Sequence, residues 1–493
     1  MKATFSGAFG LFPCGLVAAL ALAGCEASSA PASWTMPVTT APPAPPGVAG
    51  GPAATSTAAP DGGAPVPGSG RTWGPAVEIS NPAIRDLQSS PQVGLDDAGN
   101  AVAVWRELLA DHTRNAVWAS RYSAGAAWSP PITIDNAVGN ASDPHLAMTP
   151  SGTALVAFGQ SETNQGGAQL LVASRFTGTW GTPVTVSAAD HAPEQPFVAV
   201  GPDGAAAVVF SASDGMFPRA WAARASAAGA WDVPAVMESA VVPGWEPSVT
   251  VTTNGDAVTT WTETVGGVAE TSVWARRNHG GVWDGPVLLT TDHGAVLGSV
   301  LVSGDATGSV LAVWSQRLAG LLTLRSARMN AGTGTWSAPV TVNDGAREVT
   351  APHVSVDPKG DAVAVWFETD RGVVANRFTS STSTWGSPAL LQARSTGLVF
   401  FPVPRVGIDA EGNAVATWVQ PVGSPPLPHL FAAHAAATGG AWTAPIDLLA
   451  DPSAVAYATE MQLSANAKGE AIVVWSQYAG TPAAPGIWAR VYR

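Results

Sequence analysis

The chain has 493 residues, 46% of them hydrophobic and only 12% charged, with a formal net charge of −13. No basic stripe exists to meet a phosphate backbone, so nucleic acid is not an expected partner. Gly (53) and Pro (41) are frequent and aliphatic runs are short, which favours many strands and tight turns over long helices.

In chain order, the first feature is a short leader. Lys2 supplies a positive charge, and Leu16 to Leu22 form an apolar run too short to span a bilayer as a stable helix. Leu22-Ala23-Gly24-Cys25 follows and resembles a bacterial lipobox, in which small residues precede a cysteine that is diacylated before cleavage. The resemblance implies a signal peptide over residues 1–24, a lipid on Cys25 and attachment to a membrane. Glu26, rather than Asp, follows the cysteine, which points to the outer membrane or cell surface. Cys14 and Cys25 are the only cysteines, so neither a disulfide framework nor a cysteine-based metal site is expected further on. Residues 25–71 carry the anchor and then Ala, Pro, Gly, Ser and Thr with almost no charge. Such a segment cannot bury enough apolar surface to fold and reads as a tether.

From residue 72 onward the chain repeats itself. Glycines at positions 99, 152, 204, 255, 308, 360, 412 and 469 are spaced by 51 to 53 residues, except for a last interval of 57. Six residues after each stands a large aromatic: Trp105, Phe158, Phe210, Trp261, Trp314, Trp366, Trp418 and Trp475. Eight residues before it stands Pro in six repeats, with Val300 and Met461 in the other two. A second Trp series is Trp73, Trp128, Trp180, Trp231, Trp283, Trp336, Trp385 and Trp442. Each unit reads as four strands. In the first, "PQVGL" and "NAVAVW" flank a tight turn whose Gly99 is predicted at positive φ, and "NAVWASRY" and "AWSPPITI" follow. The second strands are apolar on both faces, so each sheet must be packed on both faces.

The ends of the repeat region suggest how the array terminates. It opens with a lone fourth strand, residues 72–79, and finishes with "IWARVYR", a third strand without its fourth. Joined, the two fragments make one unit and leave no long open edge. The expected fold is therefore all-β: a closed eight-bladed β-propeller over residues 72–493, four antiparallel strands per blade, the last completed by the strand 72–79.

Repetition within the chain also sorts residues by role. An Arg recurs on third strands (Arg121, Arg175, Arg224, Arg277, Arg328, Arg377, with His434 in the seventh), and a Glu or Gln follows most second-strand aromatics by two residues. Pairing of that Arg with that Glu or Gln across adjacent strands is the expected arrangement. What varies lies in the connections between second and third strands and between successive units, which share one face of a propeller. The candidate ligand-binding residues there are Trp245, Glu246, Phe400, Phe401, His191, His293, Arg347 and Tyr457. Trp245 ranks first, being an aromatic outside both Trp series. No residue is assigned a catalytic role. The His spacings support no metal site, and no cofactor is expected.

The blade phrase ending in Trp resembles the repeats of secreted sialidase-like, or BNR, propellers. The Asp-box pattern of those repeats is absent here, and sialidases have six blades rather than eight. Blade number and lipobox together resemble the quinoprotein-like eight-bladed class, which includes the BamB lipoprotein, an outer-membrane assembly scaffold. These resemblances and the residues imply a monomeric, lipid-anchored, extracytoplasmic module that binds a protein or glycan. A sialidase-like glycan hydrolase and a BamB-like scaffold are the alternatives.

Overall fold

The computed structural model describes residues 70–81, 88–163, 166–187, 193–238, 242–264, 271–292, 294–395, 402–423, 426–437, 440–449, 457–479 and 484–493. The leader, Cys25 and nearly all of the tether lie outside these residues. All regular structure described is strand, arranged in eight antiparallel sheets of consecutive strands. The first blade is Ser89–Leu95, Ala101–Leu108, Asn115–Tyr122 and Ile132–Thr133, and the next six repeat that order. Each first strand packs against the first strands of both neighbouring blades, so the eight sheets close into a ring around a central channel. This is an eight-bladed β-propeller.

Closure occurs where the sequence places it. Val77–Glu78 pairs antiparallel with Ala489 and Trp488 at the outer edge of the last blade. The N–H of Thr72 donates to the carbonyl of Arg493 (2.9 Å), that of Gly74 to Val491 (2.8 Å) and that of Ile79 to Ile487 (2.8 Å). Trp73 is buried, packs its ring at a tilt against Tyr492 (5.3 Å between centroids), and donates its indole N–H to His434 Nε2 at 3.2 Å. His434 replaces the third-strand arginine here because a neutral imidazole accepts a hydrogen bond and a guanidinium cannot.

The eight second-strand aromatics are all fully buried. Each removes on the order of 150–250 Å² from water, an upper bound of ~4–6 kcal/mol apiece. The fourth-strand Trp residues differ: apart from Trp73 they are only half-buried. Fourth strands are also shorter than expected, two residues in most blades plus an isolated bridge from the Trp to the third strand. Prolines such as Pro130 and Pro131 remove the ladder donors between bridge and strand.

The expected Arg–Glu/Gln pairing does not form. In the first blade Arg121 lies opposite Val102 and Glu107 opposite Ala116, so the two residues sit at opposite ends of one hairpin. The Glu or Gln instead accepts the indole N–H of the aromatic two residues earlier: Trp105 to Glu107 (2.7 Å), Trp261 to Glu263 (2.8 Å), Trp366 to Glu368 (3.1 Å) and Trp475 to Gln477 (2.9 Å). The arginines act mainly between blades. Arg175, Arg224 and Arg377 donate to the carbonyls of Gly204 (2.7 Å), Gly255 (2.6 Å) and Gly412 (2.7 Å), the turn glycines of the next blade.

All eight turn glycines have positive φ, between 78° and 93°. Gly360 shows why: a Cβ there would lie 2.7 Å from Asp305 Oδ2 and 2.8 Å from Arg328 Nη2 of the preceding blade.

Candidate binding face

The antiparallel meander gives the ring two unlike faces. Turns between first and second strands, and between third and fourth, lie on one, here the turn face. Connections between second and third strands, and from each blade to the next, lie on the other, the loop face. Every first strand therefore enters the ring at the loop face, beside the mouth of the channel.

Seven of the eight first strands carry a bulge near that entry, where the pairing register slips against the second strand. The bulge residues Ser90, Asp143, Gln195, Glu246, Ala351 and Glu460 all have positive φ, from 28° to 56°, and the fifth blade uses Gly298 at 77°. The cause is local. In five blades the next residue is Pro (Pro91, Pro144, Pro196, Pro247, Pro352), which offers no N–H to the ladder and bars its predecessor from the right-handed helical region. In the same stretch the partner strand presents its buried aromatic. Bulges of this kind re-aim side chains, and each non-glycine residue held there costs roughly 1–2 kcal/mol. The seventh blade has Val403 between Pro402 and Pro404; its first strand begins only at Arg405.

Side chains at the mouth change from blade to blade. Asp143, Gln195 and Glu460 are exposed, while Ser90, Glu246 and Ala351 are half-buried. Glu460 of the last blade accepts the backbone N–H of Ser90 at 2.5 Å, linking the last blade to the first. Crowding by surrounding protein raises the pKa of Glu460; the Ser90 bond and Arg106 oppose that shift, and repulsion from Asp143 adds to it. Burial raises the pKa of Glu246, which has no hydrogen-bond or ionic partner among the described residues. One step deeper, His145 Nδ1 accepts the N–H of Val198 (3.2 Å) and His353 Nδ1 that of Val406 (3.3 Å), each tying one first strand to the next. Burial holds these rings neutral, lowering the pKa to about 4 for His145 and, with help from Arg405, to about 3 for His353.

The sequence candidates divide unevenly over this face. Trp245 and Glu246 do stand at the mouth, adjacent in the first strand Gly244–Val251. Trp245 is thus strand rather than loop: it pairs with Thr262, whose hydroxyl donates to the Trp245 carbonyl at 3.2 Å. Arg347 sits in a connection and is occupied by Asp344 (2.9 Å) and Asp370 (3.6 Å), so it offers little free charge. Tyr457 begins the first strand of the last blade, paired with Tyr478. Phe400, Phe401, His191 and His293 lie outside the described residues. Asp143, Glu460, His145 and His353 were missed. The recurrent residue-Pro pair was the available signal, because it marks where the inner strand must kink.

Among the described residues no three His, Cys, Asp or Glu side chains gather closely enough to hold a metal ion. No helix described is long and apolar enough to cross a membrane.

No family model matches the chain, and no curated protein matches its sequence. Solved structures do. A lectin from Burkholderia pseudomallei aligns with a TM-score of 0.47 at 14% identity, covering 76% of this chain and 100% of that one. A protein of unknown function from Dyadobacter fermentans aligns at 0.41 and 14% identity, covering 74% and 98%. The NanB sialidase of Streptococcus pneumoniae aligns at 0.37 and 10% identity, covering 84% and 69%. At these scores the propeller assignment rests on the strand pairing of this chain, and the neighbours' activities remain their own.

Proposed function

We propose that the protein is a lipid-anchored, extracytoplasmic binding module that captures a protein or glycan ligand at the mouth of its channel without transforming it. One observation carries this reading. A strained backbone device recurs in seven blades at the same place, yet the side chain it presents differs in nearly every one. Structural need explains a repeated residue; a surface that recognises something explains a repeated mount with changing residues. The tether and the lipid on Cys25 supply the address: they would hold the ring off the membrane, with ~35 Å of flexible reach.

The test is capture by the intact anchored protein on cells, followed by cross-linking. Trp245→Ala is expected to weaken capture while shifting thermal stability by no more than a few degrees. An unchanged capture profile removes the mouth from consideration. Cys25→Ala is expected to release the protein from the membrane fraction, and retention there would defeat the anchor.

A second reading, a glycan-active enzyme, is favoured by one pair. Burial raises the pKa of Glu460 and repulsion from Asp143 adds to the shift, so Glu460 keeps its proton to higher pH than an ordinary glutamate, as a general acid must. Hydrolysis of an aryl-glycoside panel that Glu460→Gln abolishes would establish it over the binding module.

A further inference from the structure

On the turn face, far from the mouth, one third-strand arginine stands apart from the other five. Of the six third-strand arginines, Arg175, Arg224 and Arg377 donate to the next blade's turn carbonyl, Arg277 pairs with Asp256 (2.6 Å), and Arg328 pairs with Asp305 (2.8 Å). Arg121 does none of these. Its guanidinium lies over the ring of Phe176, 5.6 Å from the centroid, and makes no hydrogen bond to any described residue. Asp96, the counterpart of Asp305, is present in the same blade but turns its carboxylate onto its own turn, accepting the N–H of Ala98 (2.9 Å) and of Asn100 (2.7 Å) and the Asn100 amide (2.9 Å). Arg121 and Asp96 instead form two walls of a cavity of about 300 Å³ between the first and second blades, with Asn100, Ser151, Phe176 and Thr177 completing it.

We propose that this cavity binds a carboxylate-bearing sugar, with Arg121 receiving the carboxylate. A guanidinium fork matches a carboxylate in two parallel hydrogen bonds. Here the fork is exposed and has no hydrogen-bond partner among the described residues, and it lies over the ring of Phe176, which in turn packs against Trp180 at 5.4 Å. The rest of the lining mixes the hydroxyl and amide groups of Asn100, Ser151, Thr153 and Thr177 with apolar Val102 and Met148, a combination suited to the polar rim and apolar face of a sugar ring. The volume falls at the lower end of small-molecule pockets, enough for a single ring rather than a long chain. This site is separate from the channel mouth and stands or falls apart from it.

The experiment is ligand-observed saturation-transfer NMR on the intact protein, using glucuronate and galacturonate as probes and glucose as the neutral control. Both acids are expected to show transfer and glucose little. Arg121→Gln is expected to reduce acid binding at least tenfold, with Arg121→Lys intermediate, and the melting temperature should fall by no more than a few degrees because this guanidinium makes no hydrogen bond to a described residue and only an exposed contact with Phe176. Raised salt should weaken binding in the native protein and not in Arg121→Gln. Absence of transfer to either acid, or binding that Arg121→Gln leaves unchanged, overturns the proposal.

Discussion

The two faces of the ring solve one geometric problem with opposite chemistry. Both contain residues at positive φ in every or almost every blade. On the turn face the turn between first and second strands carries a glycine in all eight blades, pressed against a carboxylate or guanidinium of the preceding blade where the fit is tightest, as at Gly360. At the first-strand bulges of the loop face six are not glycine, and the residues there are Ser, Asp, Gln, Glu, Ala and Glu. The first-to-second-strand turns have shed their strain and repeat. The mouth retains strain and varies. The difference teaches that the first is the part of the molecule that holds blades together and the second the part free to be chosen for contact.

Removing the closing strand, residues 70–80, should have the largest effect. It would expose the edge of the last blade, Ala484–Tyr492, along its length and strip Trp73 from its partners. Loss of a single cooperative denaturation transition, with early proteolysis in the last blade, is the expected outcome. Survival of one sharp transition would mean that closure contributes little and that each blade stands on local packing.

Next, Gly360→Ala places a Cβ at φ 90° against Asp305 and Arg328. The conformational cost of roughly 1–2 kcal/mol and the disturbed ion pair together should lower stability by ~2–4 kcal/mol in denaturant titration. A loss below ~0.5 kcal/mol would erase the distinction between the faces.

Acid should then loosen the loop face selectively. His145 and His353 are held neutral in the fold, with pKa about 4 and about 3 against 6.5 when unfolded. The unfolded chain therefore binds the extra protons first as pH falls. The contribution is whole above pH 6.5 and is lost downward through about pH 4 for His145 and about pH 3 for His353, by at most ~1.4 kcal/mol per pH unit for each ring. Hydrogen exchange at the Val198 and Val406 amides should rise over this window, before that of amides remote from a buried histidine. Uniform acceleration would deny the histidines a local role.

Smallest of all, Ala351→Gly at φ 50° should relieve strain and stabilise the protein by up to ~1 kcal/mol. Gly360→Ala and Ala351→Gly are mirror experiments, and opposite signs are the signature expected.

The architecture was legible because its determinants are short-range and occur eight times. Gly99 and its counterparts set the turn, and the aromatic six residues on fixes which strand is central. The binding face was less legible. Trp245 and Glu246 were found as breaks in a pattern, yet were assigned to a loop. Asp143 is marked only by the Pro144 that follows it, which signals a kink but not an exposed acid at the mouth, and Glu460, followed by Met461, lacks even that mark.

By itself the sequence determined blade number, strand order and the closing partnership of residues 72–79 with the last blade, since backbone dihedrals and apolar patterning act over a few residues and repetition amplifies them. Only the tertiary structure decided who meets whom between blades. Arg175 reaches Gly204, Glu460 reaches Ser90, His145 reaches Val198, and the Arg121 guanidinium reaches no hydrogen-bonding partner among the described residues. Such contacts join residues from about thirty to several hundred positions apart, and their distances follow from the curvature of the closed ring, which no local window of sequence contains.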